Sequence, residues 1–131
     1  EVLEDFARAL ETDHAATLKR FLGLVARGAP DSGVLRTLRH ALQATPPPTA
    51  GALRSGLEIL RATDLRAQAR ALPMPVLWLA GARDTLVPVA AMRAQVADQP
   101  RQRLHEFAQA GHAPFISHPD AFVAAVTEFF A

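Results

Sequence analysis

Apolar positions in the first half of the chain recur at helical spacing. Leu18, Phe21, Leu22 and Val25 fall at i, i+3, i+4 and i+7, which predicts a helix begun near Asp13 and ended by Gly28 and Pro30. Leu35, Leu38 and Leu42 repeat the spacing behind Asp31 and Ser32, either of which suits the N-cap. Pro46-Pro47-Pro48 makes a stiff break that no helix crosses. After Thr49 comes a third helix with Leu53, Leu57 and Leu60 on one face, where Gly56 either weakens the helix or permits close packing. Residues 1 to about 62 therefore read as wholly helical, a separate set of helices that could sit over a site as a cap.

From Asp64 the pattern changes to helix–strand–helix–strand–helix. Asp64 caps a short helix ending before Pro73, and Val76 to Leu79 reads as a strand apolar on both faces, the signature of a central parallel strand covered by helices. Val89 to about Ala97 is a helix, Arg103 to Phe107 a second strand, and Pro119 to Phe130 the last helix. Pro119 suits the first helical turn, Phe122, Val126, Phe129 and Phe130 form the buried stripe, and Ser117 with Asp120 helps to cap the start. Such alternation implies a parallel sheet with right-handed crossovers. Two parallel strands leave unpaired edges and an uncovered face, so the remaining strands are expected from outside this stretch.

Composition narrows the class. A chain of 131 residues with 50% hydrophobic content can bury one core. Its longest apolar run, Val76 to Ala80, is strand-sized and far below the ~20 residues of a membrane-crossing helix. The N-terminus lacks the layout of a signal peptide, and the absence of cysteine fits a reducing compartment, so the cytoplasm is the expected location. A net charge of +1 argues against a general nucleic-acid binder. The charge is uneven, however, with Lys19, Arg20, Arg27, Arg36 and Arg39 against Asp31 alone between residues 14 and 43. A solvated helical face is the plain reading of that segment, and an acidic macromolecular partner the sharper one. Five histidines without clustered carboxylates or cysteines give no metal-site spacing, and no glycine-rich phosphate loop is present.

Two residues can carry chemistry together. Asp84 follows the first apolar strand and Gly81, and His112 follows the second strand in a loop opened by Gly111. A carboxylate there can accept the Nδ1–H of a histidine and fix its tautomer, and the histidine can take a proton from a nucleophile and return it to a leaving group. Taken singly, Asp84 is equally a turn aspartate serving a backbone N–H, and His112 a surface histidine. As a pair in this order, each beyond the carboxyl end of a parallel strand, they match the acid and base of a Ser…Asp…His triad. The nucleophile is absent: Ser32, Ser55 and Ser117 lack elbow context, and no Gly-x-Ser-x-Gly occurs. His105 within its strand, His118 before Pro119, and His14 and His40 on the helices read as structural.

Longer strings extend the match. Gly111-His112-Ala113-Pro114-Phe115-Ile116-Ser117-His118-Pro119 resembles the C-terminal histidine motif of the pimeloyl-[acyl-carrier protein] methyl ester esterases, a branch of the α/β-hydrolases. Leu57-Glu58-Ile59-Leu60, Thr63-Asp64-Leu65-Arg66, Pro73-Met74-Pro75, Asp84-Thr85-Leu86-Val87-Pro88 and the cap segment Lys19-Arg20-Phe21-Leu22 are similar in order and spacing. The resemblance implies the C-terminal half of an α/β-hydrolase, with residues 1–62 as helical cap and 63–131 as part of the core. It implies a serine carboxylesterase of biotin synthesis, without cofactor, acting as a monomer on an acyl-carrier-protein-bound ester. Asp84 would be the triad acid and His112 the base. Phe21 would line the acyl channel, and Arg20, with Arg36 and Arg39, would face the acidic carrier protein. The missing serine elbow and oxyanion loop imply a fragment, inactive alone, that works with an N-terminal half of the same protein and contacts neither nucleic acid nor membrane. The alternatives are another esterase or carbon–carbon hydrolase with a different acyl substrate, and a non-catalytic binding protein on the same scaffold.

Overall fold

Polar side chains placed between apolar stripes set the boundaries of the first four helices. The computed structural model describes residues 2–131, with side chains except at positions 2, 3 and 11. Helix α1 (Val2–Thr12) stops at Asp13, whose N–H still bonds the Ala9 carbonyl at 3.0 Å while its carboxylate accepts the Ala16 N–H at 3.0 Å and caps α2 (His14–Ala26). Thr17, Leu22 and Val25 are the buried positions of α2. Before α3 (Gly33–Gln43) the two candidate caps divide the work. Ser32 holds the cap position without a capping bond, its hydroxyl taken by Arg36, while the Asp31 carboxylate accepts the Gly33 N–H at 2.6 Å. Thr49 caps α4 (Ala50–Ala62) through the Ala52 N–H at 3.1 Å. Helix α1 packs on α2 and α4, and α2 on α3. Leu53 and Leu57 of α4 are half-buried, but Leu60, expected on the same covered face, is 66% exposed, because the stripe runs past the helix that α4 rests on.

The second half supplies the sheet. The order is α5 (Arg66–Arg70), β1 (Val76–Gly81), α6 (Val89–Val96), β2 (Gln102–Phe107), α7 (Pro114–Ser117) and α8 (Pro119–Phe130). The strands pair in parallel from Val76↔Gln102 to Gly81↔Phe107, joined by α6, which packs on both. Asp64 accepts the Arg66 N–H at 3.1 Å from one residue before the cap position of α5, where Leu65 stands. Helix α8 lays Phe122 and Ala125 on Phe107 and Ala110. Its stripe is shorter than the sequence suggests: Phe130 is 81% exposed, whereas Val126 and Phe129 are half-buried. Ser117 does not cap α8. It ends α7, a turn the sequence pattern did not separate, and its hydroxyl bonds the Ala113 carbonyl and His118 Nδ1.

Two buried glutamines fasten α5 to the sheet. Gln95 Nε2 donates to the Arg66 carbonyl at 3.2 Å. Gln102 Nε2 donates to the Ala69 carbonyl at 2.7 Å while its Oε1 accepts Trp78 Nε1–H at 2.8 Å. The Ala69 carbonyl, in the last turn of a five-residue helix, thereby gains a partner that the helix cannot supply, and the Arg66 carbonyl takes a bond from the sheet side. On the outside, Arg93 of α6 chelates Glu106 of β2 at 2.7 and 2.5 Å and, chiefly through those hydrogen bonds, holds the Glu106 carboxyl below the usual carboxylate range. β1 pairs only with β2 among the described residues, and Val76 to Leu79 are half-buried rather than covered on both faces. No described helix is long and apolar enough to cross a membrane.

Replacing Gln102 by alanine strands both the Trp78 N–H and the Ala69 carbonyl. Urea denaturation followed by circular dichroism should show a loss of about 1–3 kcal/mol with an unchanged denaturant slope, the cost of a buried polar group left without its partner.

Candidate active site

The loops that leave β1 and β2 are stitched to one another by backbone. Ala82 N–H donates to the Phe107 carbonyl at 3.0 Å, and Arg83 N–H to the Ala110 carbonyl at 2.9 Å. This spacing is open only because two residues lack a β-carbon. One on Gly81 would collide with the Ala110 and Gly111 carbonyl oxygens, and one on Gly111 with the Arg27 carbonyl oxygen from the loop between α2 and α3. Three chain segments therefore cross at backbone contact: the turn after β1, the turn after β2 and the corner between two of the first helices.

Asp84 and His112 face each other across that crossing. Asp84 Oδ1 accepts the Leu86 and Val87 N–H groups at 2.8 and 3.0 Å, and Oδ2 lies 2.8 Å from His112 Nδ1. The turn-aspartate role and the role as partner to the histidine are thus both filled, one by each carboxylate oxygen. The Asp84 side chain is 7% exposed and that of His112 37%. With the Nδ1 hydrogen donated to the carboxylate, Nε2 keeps a lone pair for accepting a proton. Among the described residues Asp84 is the one hydrogen-bond partner of the ring. None of the three serines bonds the ring: Ser117 is engaged by Ala113 and His118, Ser32 by Arg36, and Ser55 lies exposed on α4.

A cavity of about 130 Å³ between Leu79, Val87, Met92 and Pro114 is bordered by both Asp84 and His112. A larger one, about 610 Å³, lies away from them, between Arg61 to Arg66, Trp78 and α6. The remaining candidates are not gathered at the dyad. Phe21 is half-buried, its ring 5.1 Å from that of Phe6, and packs against the cluster formed by Val25, Val34 and Ala113. Arg20, Arg36 and Arg39 are exposed on the neighbouring helices α2 and α3, Arg20 bonded to Thr17 and Arg36 to Ser32. The His105 ring lies 4.6 Å from that of Phe107 at a tilt of 57°, His118 bonds Ser117, and no cluster suited to a metal ion occurs among the described residues. Sequence reasoning gave Asp84 a turn role without naming the Leu86 and Val87 amides, and it missed the contact of the α2–α3 corner with Gly111. An aspartate two and three residues ahead of free amides is an Asx-turn signal that could have found the first. The second joins segments distant in sequence and carries no local signal.

Residues 3–125 match the model of the alpha/beta hydrolase family. A protein of Stenotrophomonas maltophilia (strain K279a) named pimeloyl-[acyl-carrier protein] methyl ester esterase is 44% identical over 131 residues, which cover 99% of this chain and 51% of that protein. A protein of the same name from Xanthomonas campestris pv. campestris (strain B100) is 42% identical, with 100% of this chain and 52% of that protein covered. The chain spans about half the length of the curated relatives it matches. Among solved structures, an esterase from Exiguobacterium antarcticum superposes with a TM-score of 0.81 at 18% identity, over 97% of this chain and 46% of that one. A bromoperoxidase from Bacillus anthracis does so with a TM-score of 0.81 at 19% identity, over 98% and 48%. These two likenesses establish the fold: half of an α/β-hydrolase, parallel strands with flanking helices.

Adding one methyl group at Gly81 forces the two stitched loops apart. Gly81→Ala should cost about 1–3 kcal/mol, as overpacking of a filled site does. It should also remove or shift the far-downfield Nδ1 proton resonance of His112, because the loop that moves is the one that presents Asp84.

Proposed function

The chain belongs to the alpha/beta hydrolase family, and on that premise we propose that it supplies the acid and the base of a serine esterase that hydrolyses pimeloyl-[acyl-carrier protein] methyl ester. The observation that carries this reading is the 2.8 Å contact between His112 Nδ1 and a buried Asp84 carboxylate whose second oxygen is fixed by two amides. The identity to relatives of that name supports the substrate. Residues 1–62 act as a cap and 63–131 as the C-terminal part of the core. Among the described residues β1 keeps one edge unpaired and no serine bonds His112, and together with the half-length match this supports a nucleophile and oxyanion donors provided by an N-terminal half of the same protein.

The chemistry follows from the free Nε2. It takes the proton of the serine hydroxyl as the oxygen attacks the ester carbonyl, and the imidazolium so formed is stabilised by Asp84. Collapse of the tetrahedral adduct expels methoxide, which leaves as methanol with the proton from Nε2. A water then repeats the sequence: its proton goes to Nε2, its oxygen to the acyl carbon, and the serine oxygen leaves with the proton returned. No cofactor enters either half. Phe21 lines the path of the acyl chain from within the cap. Arg20, Arg36 and Arg39 meet the acidic carrier protein, and the cytoplasm is the compartment where such a substrate is met. Neither nucleic acid nor membrane takes part, and a monomer suffices.

In the full-length protein Asp84→Asn should lower kcat for a small methyl ester by about 10⁴, the size of the loss when a triad acid is neutralised. His112→Ala should lower it by about 10⁴ or more, with circular dichroism unchanged for both. Near-normal turnover by either variant would overturn the assignment.

Reversing Arg20, Arg36 and Arg39 to glutamate should raise KM for the carrier-bound ester by about tenfold at low salt, since rim charges act through encounter rate. Hydrolysis of a small free ester should change by less than about twofold, and the contrast should shrink as ionic strength rises. Equal losses on both substrates would mean that the arginines form only a solvated face.

A further inference from the structure

His112 is held by its two neighbours in the chain as well as by Asp84, and both neighbours rest on the same corner of the cap. On one side Gly111 lies against the Arg27 carbonyl with no room for a β-carbon. On the other, Ala113, 2% exposed, packs with Val34 of α3, also 2% exposed, and Val25 of α2. Leu86, whose amide fixes Asp84 Oδ1, and Ile116 of α7 pack onto that same cluster. Gly28 sits against the Arg83 carbonyl, next to Asp84 in the chain. One apolar cluster that contains Val34 thus touches the acid loop and the base loop at once.

We propose that Val34 is a positioning residue for His112: it acts through Ala113 and Leu86 to hold the imidazole loop and the Asp84 loop at their 2.8 Å separation. The proposal rests on the ester-hydrolase reading above for its effect on turnover. Among the described residues Asp84 is the one hydrogen-bond partner of the ring, so the loop's packing must fix what that single bond leaves free. The side chain that fills the gap behind Ala113 comes from a helix whose first turn lies about 80 residues away in sequence. A misplacement of ~1 Å at a reacting group can cost ~100-fold in rate, so even partial loosening is measurable. The α2–α3 corner is therefore an anchored part of the cap, and any motion there carries the histidine with it.

The test compares Val34→Ala with Leu22→Ala in the full-length protein. Leu22 is a buried cap residue outside this cluster, so its truncation serves as the control for general loss of cap packing. Turnover of a small free methyl ester and the downfield Nδ1 proton of His112 are read for each, with His112→Ala alongside. Val34→Ala should lower kcat about 5- to 50-fold with KM changed less than about twofold, and should shift or broaden the Nδ1 resonance. Val34→Ile should retain both values, and Leu22→Ala should leave both unchanged. If Val34→Ala does not fold, Ile116→Val trims the same cluster by one methyl group and should give a smaller change of the same kind. An unperturbed Nδ1 proton in the folded variant, or equal kcat losses for Val34→Ala and Leu22→Ala, overturns the proposal. Should His112→Ala keep its turnover, the ester-hydrolase reading falls, and the Nδ1 resonance alone decides the role of Val34.

Discussion

The arrangement depends on backbone meeting backbone where the two strands end. Parallel pairing brings the carboxyl ends of β1 and β2 to one edge, and the Ala82–Phe107 and Arg83–Ala110 bonds carry that pairing into the loops beyond. Main-chain groups at this depth need partners, and here each loop is the partner of the other. Because the approach leaves no space for a β-carbon at Gly81 or Gly111, the loops cannot slide without breaking those bonds. The Asp84–His112 contact is the outcome of that stitching more than its cause.

Asp84 illustrates how one buried carboxylate can serve two demands. A carboxylate accepts at both oxygens, so the Leu86 and Val87 amides orient it through Oδ1 while Oδ2 remains for the histidine. Burial without that full set of donors would be costly. The histidine is treated differently: bound at Nδ1, its side chain is far more exposed than that of Asp84, and Nε2 is left to exchange a proton. The same pairing of a fixed acid and an accessible base underlies the esterase reading.

The helices of the first half are more than a cover. Val34 and Val25 share a cluster with Ala113, and Leu86 joins it from the loop after β1 and Ile116 from α7. The α2–α3 corner is thereby packed into the same core as the dyad, while α4 keeps Ile59 and Leu60 exposed. The Gln95 and Gln102 amides tie α5 to the rest of the sheet half, and Gln102 gives the Ala69 carbonyl a partner that apolar packing would not. Apolar burial joins the corner to the site, and hydrogen bonds join the short helix to the sheet.

Local patterning determined the element types and their order: the periodic leucines of α2 to α4, the apolar run of β1, Pro119 opening α8, and the placement of Asp84 and His112 after successive strands. These signals are local because a helix stripe or a strand is written within about ten residues. Tertiary structure decided what those signals could not. It left Leu60 and Phe130 exposed on stripes that look covered. It brought Val34 onto Ala113 and the Arg27 carbonyl onto Gly111 as well. Such contacts join segments far apart in the chain, so their partners are fixed by how the helices and strands pack in space, and no spacing along the sequence encodes them.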